Sequence, residues 1–256
     1  PASPMRTQVS FVDISRAYFN APTDPNDPTY VALPGEDPDF GKDLCGMLLR
    51  HMYGTQKAAE GWQSECSSFL VSIGFAQGIA CPCIFNHAER DIVVTVHGDD
   101  FTAVGPKREL DWYETALEKK YELKKGGRLG PGVDDAKEAT CLNRIIRWCS
   151  DGLEYEADPR QIEKLIKELE LVGAKACVTP GVKTLQEQLD SDQPLSVDRH
   201  TSFRALAARA NYLSADRPDC QYAAKEICRW MSSPTELSWA ALKRFGRYLI
   251  ARPRLV

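Results

Sequence analysis

Residues 92–104 limit the fold of this chain more than any other part of the sequence. Two short runs rich in β-branched and aromatic residues, IVVTV and FTAV, flank the polar tetrapeptide HGDD. Such runs around a tight polar turn predict a β-hairpin, and its tip carries Asp99 and Asp100. Adjacent carboxylates repel each other, so this turn is either simply solvated or has its repulsion offset by a bound cation.

A third aspartate favours the cation. Asp13 lies near the end of another apolar run, residues 9–14, where a predicted strand meets the sequence SRAYF. A carboxylate at the end of one buried strand and two at a neighbouring hairpin tip can hold two divalent ions for an in-line displacement at phosphorus. The sequence therefore indicates a candidate metal centre at Asp13, Asp99 and Asp100.

The charge of the chain is divided unevenly along its length. Residues 199–256 contain eleven Lys and Arg against four Asp and Glu, a net charge of +7, whereas the preceding residues carry a net charge of −11. One explanation is that the basic residues face nucleic-acid phosphate, while the acidic remainder of the chain holds metal ions. Basic residues that merely solubilise helices explain it equally well.

Other features limit the class of protein. No apolar run approaches the length of a bilayer span and the first residues contain no signal-peptide core, so we expect a soluble intracellular protein with no membrane partner. Nine cysteines, an odd number, favour a reducing compartment. The first residue is not Met, and a helical pattern runs almost to the last residue, so we expect a segment of a longer protein.

Apolar periodicity predicts an α+β fold with helices packed on one face of an antiparallel sheet. One helix is predicted from Trp62 to a cap at Gly74, and another over residues 107–121. The Gly-rich residues 126–135 are predicted as a break, residues 140–149 as one strand, and Asp158-Pro159 as the start of a further helix. A long polar connection and two or three closing helices follow. Cys81, Cys83 and His87 have no standard zinc spacing and no evident fourth ligand, so we do not expect a zinc site there.

Together, these motifs resemble those of the reverse transcriptase of copia-type LTR retrotransposons. The family's aspartate and following aromatic residue appear as DISRAYF, its LYGLKQAPRAWY as MYGTQKAAEGWQ, and its YVDD as HGDD. Three later segments, TPGVK, RPDCQYAAKEICRWMSSP and WAALKRFGRYL, also resemble family segments. Each motif alone is weak, but six in the same order are specific.

The resemblance implies an RNA-directed DNA polymerase, a nucleotidyltransferase that uses Mg²⁺, with Mn²⁺ as the alternative ion. Asp13 and Asp99 are then expected to bind both catalytic metals, and Asp100 to complete the cluster. Tyr18 is expected to stack under the incoming sugar and exclude a 2′ hydroxyl. The other expected substrate-binding residues are Phe19, Gly54, Gln56 and Lys57.

The implied fold is a polymerase palm with partial fingers over residues 1–154, followed by a mostly helical, thumb-like region over residues 155–256. The implied partners are an RNA or DNA template with its primer, deoxynucleotide triphosphates, and the remainder of a Pol polyprotein, with upstream fingers and a downstream RNase H domain. The implied location is the cytoplasm, in a virus-like particle, or the nucleus.

Several positions depart from the family pattern. His97 and Gly98 replace the usual Tyr and Val, Gln56 and Lys57 reverse the usual order, and Ala59 stands where Pro is usual. The alternatives are therefore a truncated or decayed element that binds nucleic acid or acts as a scaffold without polymerising, and an unrelated metal-dependent phosphotransferase. Decay would be expected to erode the aspartates first, and all three are present.

Overall fold

The computed structural model describes residues 7–254, and it has the α+β content that the sequence predicts. The strands are β1 (Thr7–Ile14), β2 (Tyr30–Ala32), β3 (Cys45–Met47), β4 (Ala76–Gln77), β5 (Ile84–His87), β6 (Ile92–His97), β7 (Asp100–Pro106), β8 (Leu123–Leu129), β9 (Glu138–Cys141), β10 (Arg144–Trp148) and β11 (Leu153–Glu156). The helices of the described range are α1 (Ala58–Ser72), α2 (Lys107–Glu118), α3 (Pro159–Glu168), α4 (Gln186–Asp190), α5 (Val197–Ser214), α6 (Gln221–Cys228) and α7 (Glu236–Ala251). The chain divides into two compact units after Ala139.

The first unit contains a six-stranded sheet with the order β4-β5-β6-β7-β1-β8, in which each neighbouring pair is antiparallel. β6 and β7 are the arms of the predicted hairpin, which is confirmed. Buried and exposed residues alternate along most of both strands, as expected for a sheet with one face packed on a core.

Helices α1 and α2 pack against one face of this sheet. The core that they share with the strands contains Val12, Ile14, Trp62, Cys66, Leu70, Phe85, Ile92, Val94, Phe101, Leu110, Tyr113 and Leu117. Both helices were predicted from apolar spacing, and both are confirmed. Gly74, with φ of +101°, follows the last turn of α1 as the predicted cap.

The Gly-rich break predicted after residue 126 is wrong at its start, because β8 continues through Gly126 and Gly127 to the edge of the sheet. A Cβ on Gly126 would lie 3.2 Å from the Cβ of Phe11, and Gly127 has φ of +91°. The register between β1 and β8 shifts at this point, between Ser10 and Val12. The glycines therefore permit a close approach and a bulge within a strand.

The single strand predicted over residues 140–149 is two strands. β9 and β10 are separated by Leu142 and Asn143, whose φ values of +49° and +68° match the primed turns that join tight hairpins. β11 follows and pairs antiparallel with β10, so that a three-stranded sheet forms with the order β11-β10-β9. β structure was therefore predicted correctly over residues 140–149 but divided wrongly, and β11 was not foreseen.

In the second unit, α3 begins as the sequence predicts. Asp158 is its N-cap, and the Asp158 carboxylate accepts a hydrogen bond from the backbone N–H of Arg160 at 3.1 Å. The three closing helices α5, α6 and α7 are confirmed, and they pack around a core that includes Phe203, Leu206 and Phe245. The predicted polar connection contains one short helix, α4, which the sequence analysis did not foresee.

Two further findings concern the described residues as a whole. Between residues 7 and 254, no helix combines the length and the apolar content that crossing a bilayer requires. All nine cysteines are free thiols. Cys81 and Cys83 are exposed, whereas His87 is buried with its ring against Phe75 and Trp112.

Candidate active site

Backbone pairing brings two of the predicted carboxylates opposite each other. β1 pairs antiparallel with β7, and in that register Asp13 is the partner of Asp100. Directly opposed residues project from the same face of a sheet, with Cβ atoms about 5 Å apart. Because Val12 and Ile14 belong to the core beneath α1 and α2, Asp13 lies on the opposite face, and Asp100 lies there with it.

Asp99 lies in the turn beside this pair. The turn consists of Gly98 and Asp99, and Gly98 has φ of +63°. A positive φ at the first central residue of a two-residue hairpin turn is characteristic of type II′, for which glycine is preferred. The backbone N–H of Ile14 donates to the Asp99 carbonyl at 2.9 Å, so β1 holds the turn that carries the third carboxylate.

The electrostatics of the three aspartates reflect their proximity. Partial desolvation, then the charges of Asp99 and Asp13, raise the pKa of Asp100, and His97 lowers it to a smaller extent. The ammonium of Lys124 lies 3.5 Å from Asp13 Oδ1, and both side chains are substantially exposed. The site therefore concentrates negative charge that one surface lysine offsets only in part.

The donor set fits a divalent ion in its chemistry. Mg²⁺ and Mn²⁺ prefer oxygen ligands, and a cation would relieve the repulsion that raises the Asp100 pKa. Within residues 7–254, no group of three or more His, Cys, Asp or Glu side chains converges as a formed metal site. Coordination by Asp13, Asp99 and Asp100 would therefore require their side chains to rotate toward a common point.

Three aromatic residues of the first and middle motifs form a cluster. Tyr18 and Phe19 lie in a 3₁₀ turn, Ala17–Asn20, that begins three residues after β1 ends. The ring of Tyr53 lies 4.3 Å from that of Tyr18 and 5.8 Å from that of Phe19, measured between centroids. Burial and, second, the charge of Asp99 raise the pKa of Tyr53, which indicates that this phenol lies near the turn.

Sequence reasoning missed Tyr53 as part of the site. It precedes Gly54 in the middle motif, and an aromatic residue beside a predicted substrate glycine is the signal that could have identified it. Gly54 has φ of +87°, and Gln56 and Lys57 are exposed on the segment that leads into α1. The Lys57 ammonium forms an ion pair with Asp27, so part of its charge is already compensated.

Comparison with known proteins finds no matching family model. The chain is 25% identical over 252 residues to the retrovirus-related Pol polyprotein from transposon RE2 of Arabidopsis thaliana, in an alignment covering 94% of this chain and 16% of that protein. The Pol polyprotein from transposon RE1 of the same plant is 25% identical over 250 residues, with the same coverage of each chain. That from transposon TNT 1-94 of Nicotiana tabacum is 23% identical over 261 residues, covering 97% of this chain and 19% of that protein.

The chain thus spans between 16% and 19% of the length of these relatives. The alignments extend over nearly the whole of this chain, beyond the individual motifs, at a low but consistent identity. They confirm the resemblance that the ordered motifs predict: this chain is similar, over more than nine tenths of its length, to a part of the Pol polyproteins of copia-type retrotransposons.

Proposed function

We propose that this chain is the reverse transcriptase region of a retrotransposon Pol polyprotein and adds deoxynucleotides to a primer 3′ hydroxyl on an RNA template. The observation that carries the proposal is the register that opposes Asp13 and Asp100, with Asp99 in the adjoining turn. The relatives are retrovirus-related Pol polyproteins by name, which supports this assignment. In the proposal, residues 1–154 form the palm with partial fingers and residues 155–256 the thumb-like region.

The arrangement of the sheet supports the palm assignment. Helices α1 and α2 cover one face, while Asp13 and Asp100 project from the other. A primer end and a nucleotide can therefore approach the carboxylates without displacing the core. Asp13 and Asp99 hold the divalent ions, and Asp100 completes the cluster. Bound there, these ions lower the pKa of the primer hydroxyl and neutralise charge on the departing pyrophosphate.

The aromatic residues beside the carboxylates support selection of the sugar. The Tyr18 ring packs at a tilt against that of Tyr53, whose pKa is raised by burial and by the charge of Asp99, which supports a place for Tyr18 close to where a nucleotide sugar would bind. A ring in that position leaves no room for a 2′ hydroxyl, and deoxynucleotides are selected over ribonucleotides. Phe19 packs edge-on against Tyr53 and completes this wall of the site.

The distribution of charge supports a nucleic-acid partner. Residues 199–256 have a net charge of +7 in a chain whose overall net charge is −4. Contacts between Lys or Arg and phosphate fix the register of a duplex without reading its sequence, as copying of any template requires. The basic helical region therefore binds the template–primer backbone, in a cytoplasmic particle or in the nucleus.

Primer extension tests the proposal. The substrate is poly(rA) annealed to oligo(dT), with dTTP and either Mg²⁺ or Mn²⁺, and the variants are Asp99→Asn and Asp134→Asn. Asp134 is an exposed carboxylate on the loop after β8, so its variant is a control for the loss of one charge. The parent and Asp134→Asn extend the primer, whereas Asp99→Asn loses at least about a hundredfold in rate, because an acceptor needed for the metal is missing.

Extension by Asp99→Asn at the rate of the parent would contradict the proposed mechanism. Failure of the parent to extend, even when joined to the upstream fingers sequence of a Pol polyprotein, would contradict the proposed activity. If template–primer binding were retained in that case, the chain would be a non-polymerising remnant that binds nucleic acid.

A further inference from the structure

The turn that carries Asp99 makes a contact that the sequence motifs do not reveal. Trp62, in the first part of α1, is 2% exposed, and its indole Nε1–H donates a hydrogen bond to the carbonyl of Gly98 at 2.8 Å. The two residues are 36 positions apart in the sequence. The helix of the middle motif is thus attached directly to the hairpin turn of the third motif.

Both carbonyls of the turn are fixed by donors from different elements. The Gly98 carbonyl accepts from Trp62 in α1, and the Asp99 carbonyl accepts from the backbone N–H of Ile14 in β1. With both peptide planes held, the backbone of Asp99 cannot rotate without breaking one of the two bonds. The point from which the Asp99 side chain projects is therefore fixed by Trp62 on one side and by the strand of Asp13 on the other, and the carboxylate rotates only about its own side-chain bonds.

The packing of the indole ring sets the direction of its N–H. The ring meets Phe101 edge-to-face with centroids 6.4 Å apart, and meets Tyr121 in the same way at 5.4 Å. Phe101 directly follows Asp100, so the ring of Trp62 contacts the same short segment as its N–H. A side chain held on two sides presents its donor in one direction only.

We propose that Trp62 is a positioning residue of the active site: its indole N–H holds the Gly98–Asp99 turn so that Asp99 can share divalent ions with Asp13. This inference rests on the proposed function and deepens it. Gly98 is exposed, so water can replace the donor at its carbonyl. Loss of the N–H therefore acts chiefly on the position of the Asp99 side chain, whereas loss of ring volume at this buried site lowers folding stability.

The test compares Trp62→Phe with Trp112→Phe. Phenylalanine keeps an aromatic ring in the core but has no N–H. Trp112 is the matched control, since it is a partly buried tryptophan of the same unit whose ring packs against Phe75 and lies beneath the Arg90 guanidinium. Mn²⁺ binding to each protein is measured by titration, and primer extension gives kcat and the KM for dTTP.

We expect Trp62→Phe to bind Mn²⁺ about tenfold more weakly than the parent, the effect of one lost hydrogen bond on the binding geometry. Its kcat falls by a similar factor while the KM for dTTP stays near that of the parent. Because phenylalanine leaves part of the buried tryptophan site unfilled, the unfolding temperature also falls. Trp112→Phe keeps the parental values of Mn²⁺ affinity and kcat. A purely structural role for Trp62 would lower the unfolding temperature and leave Mn²⁺ affinity unchanged.

The two measurements separate this inference from the proposed function. If Trp62→Phe binds Mn²⁺ and extends primers as Trp112→Phe does, the positioning role is overturned and the polymerase proposal stands. If the parent binds Mn²⁺ at the aspartates but extends no primer, weaker binding by Trp62→Phe still supports the positioning role while the polymerase proposal fails. If the parent shows no Mn²⁺ binding that depends on Asp99, so that Asp99→Asn binds Mn²⁺ as the parent does, the positioning role and the polymerase proposal are both overturned.

Discussion

Asp100 occupies an electrostatically unfavourable position. Its pKa is raised by partial desolvation and by the charges of Asp99 and Asp13. A carboxyl whose pKa is higher in the folded than in the unfolded protein opposes folding when it is ionised. This unfavourable contribution is absent below the ordinary aspartate pKa of about 3.9 and complete above the raised folded value.

We therefore expect Asp100→Asn to stabilise the first unit at pH 7 in the absence of divalent ions. The gain in unfolding free energy is less than about 1 kcal/mol, because the carboxylates are partly exposed and screened by solvent. Urea denaturation at pH 7 and at pH 3.5 measures it, and the gain should disappear at the lower pH. Added Mn²⁺ should stabilise the parent more than the variant. A gain of equal size at both pH values would contradict the charge repulsion.

At the level of residues, the sequence motifs pointed to three carboxylates but not to the residues that pack around them. The structure opposes Asp13 and Asp100 in neighbouring strands and places Asp99 in the adjoining turn, and their role in binding metal stays a prediction. The contributions of Tyr53 and Trp62 depend on a ring contact and a hydrogen bond that join distant segments. Neither contact leaves a local signature in the sequence, because each depends on how α1 packs against the sheet.

The start of α3 shows how one side chain stabilises a helix. The Asp158 carboxylate is 1% exposed and accepts hydrogen bonds from the Arg160 backbone at 3.1 Å, from Arg160 Nε at 2.9 Å and from Gln161 at 3.0 Å. The bond from the Arg160 side chain is the largest of the influences that lower the pKa of Asp158 to about 2. The ionised carboxylate is therefore the form that stabilises the helix.

We expect Asp158→Ala to lower the unfolding free energy at pH 7 by about 1–2 kcal/mol, the usual cost of losing a capping side chain. The stabilisation is complete above the ordinary aspartate pKa of about 3.9 and is lost as the pH falls toward the folded value. The difference between parent and variant, followed by circular dichroism during urea denaturation, should therefore shrink between pH 5 and pH 3. Asp151→Asn, at an exposed carboxylate, is the control and should match the parent. An undiminished difference at pH 3 would contradict the capping role of the charge.

At the level of elements, apolar spacing in the sequence predicted the helices and strands whose side chains follow a regular helical or alternating pattern. α1, α2 and α3 have apolar residues at helical spacing, Gly74 follows the end of α1, and Asp158 caps the start of α3. β8 was missed because Gly126 and Gly127 are ordinarily strand breakers, whereas here they permit close approach to Phe11. The turn between β9 and β10 was missed because leucine at positive φ is unusual.

For the molecule as a whole, the sequence predicted an α+β chain with helices at its C-terminal end. It could not predict the register that opposes Asp13 and Asp100, because sheet register is set by the hydrophobic pattern and turn geometry of several strands together. The division into a palm and a thumb-like region remains a prediction. The proposed binding of nucleic acid by the second unit rests on the net charge of +7 over residues 199–256, and it too stays a prediction.

We have proposed that Asp13, Asp99 and Asp100 together hold the ions for nucleotidyl transfer. The most direct test is a crystal of the chain with template–primer, nucleotide and Mn²⁺, in which anomalous scattering locates the ion. We expect a peak about 2.1 Å from carboxylate oxygens of Asp13 and Asp99, with Asp100 adjacent. A fully bound nucleotide with no peak between these aspartates, or with the ion held by other residues, would contradict it.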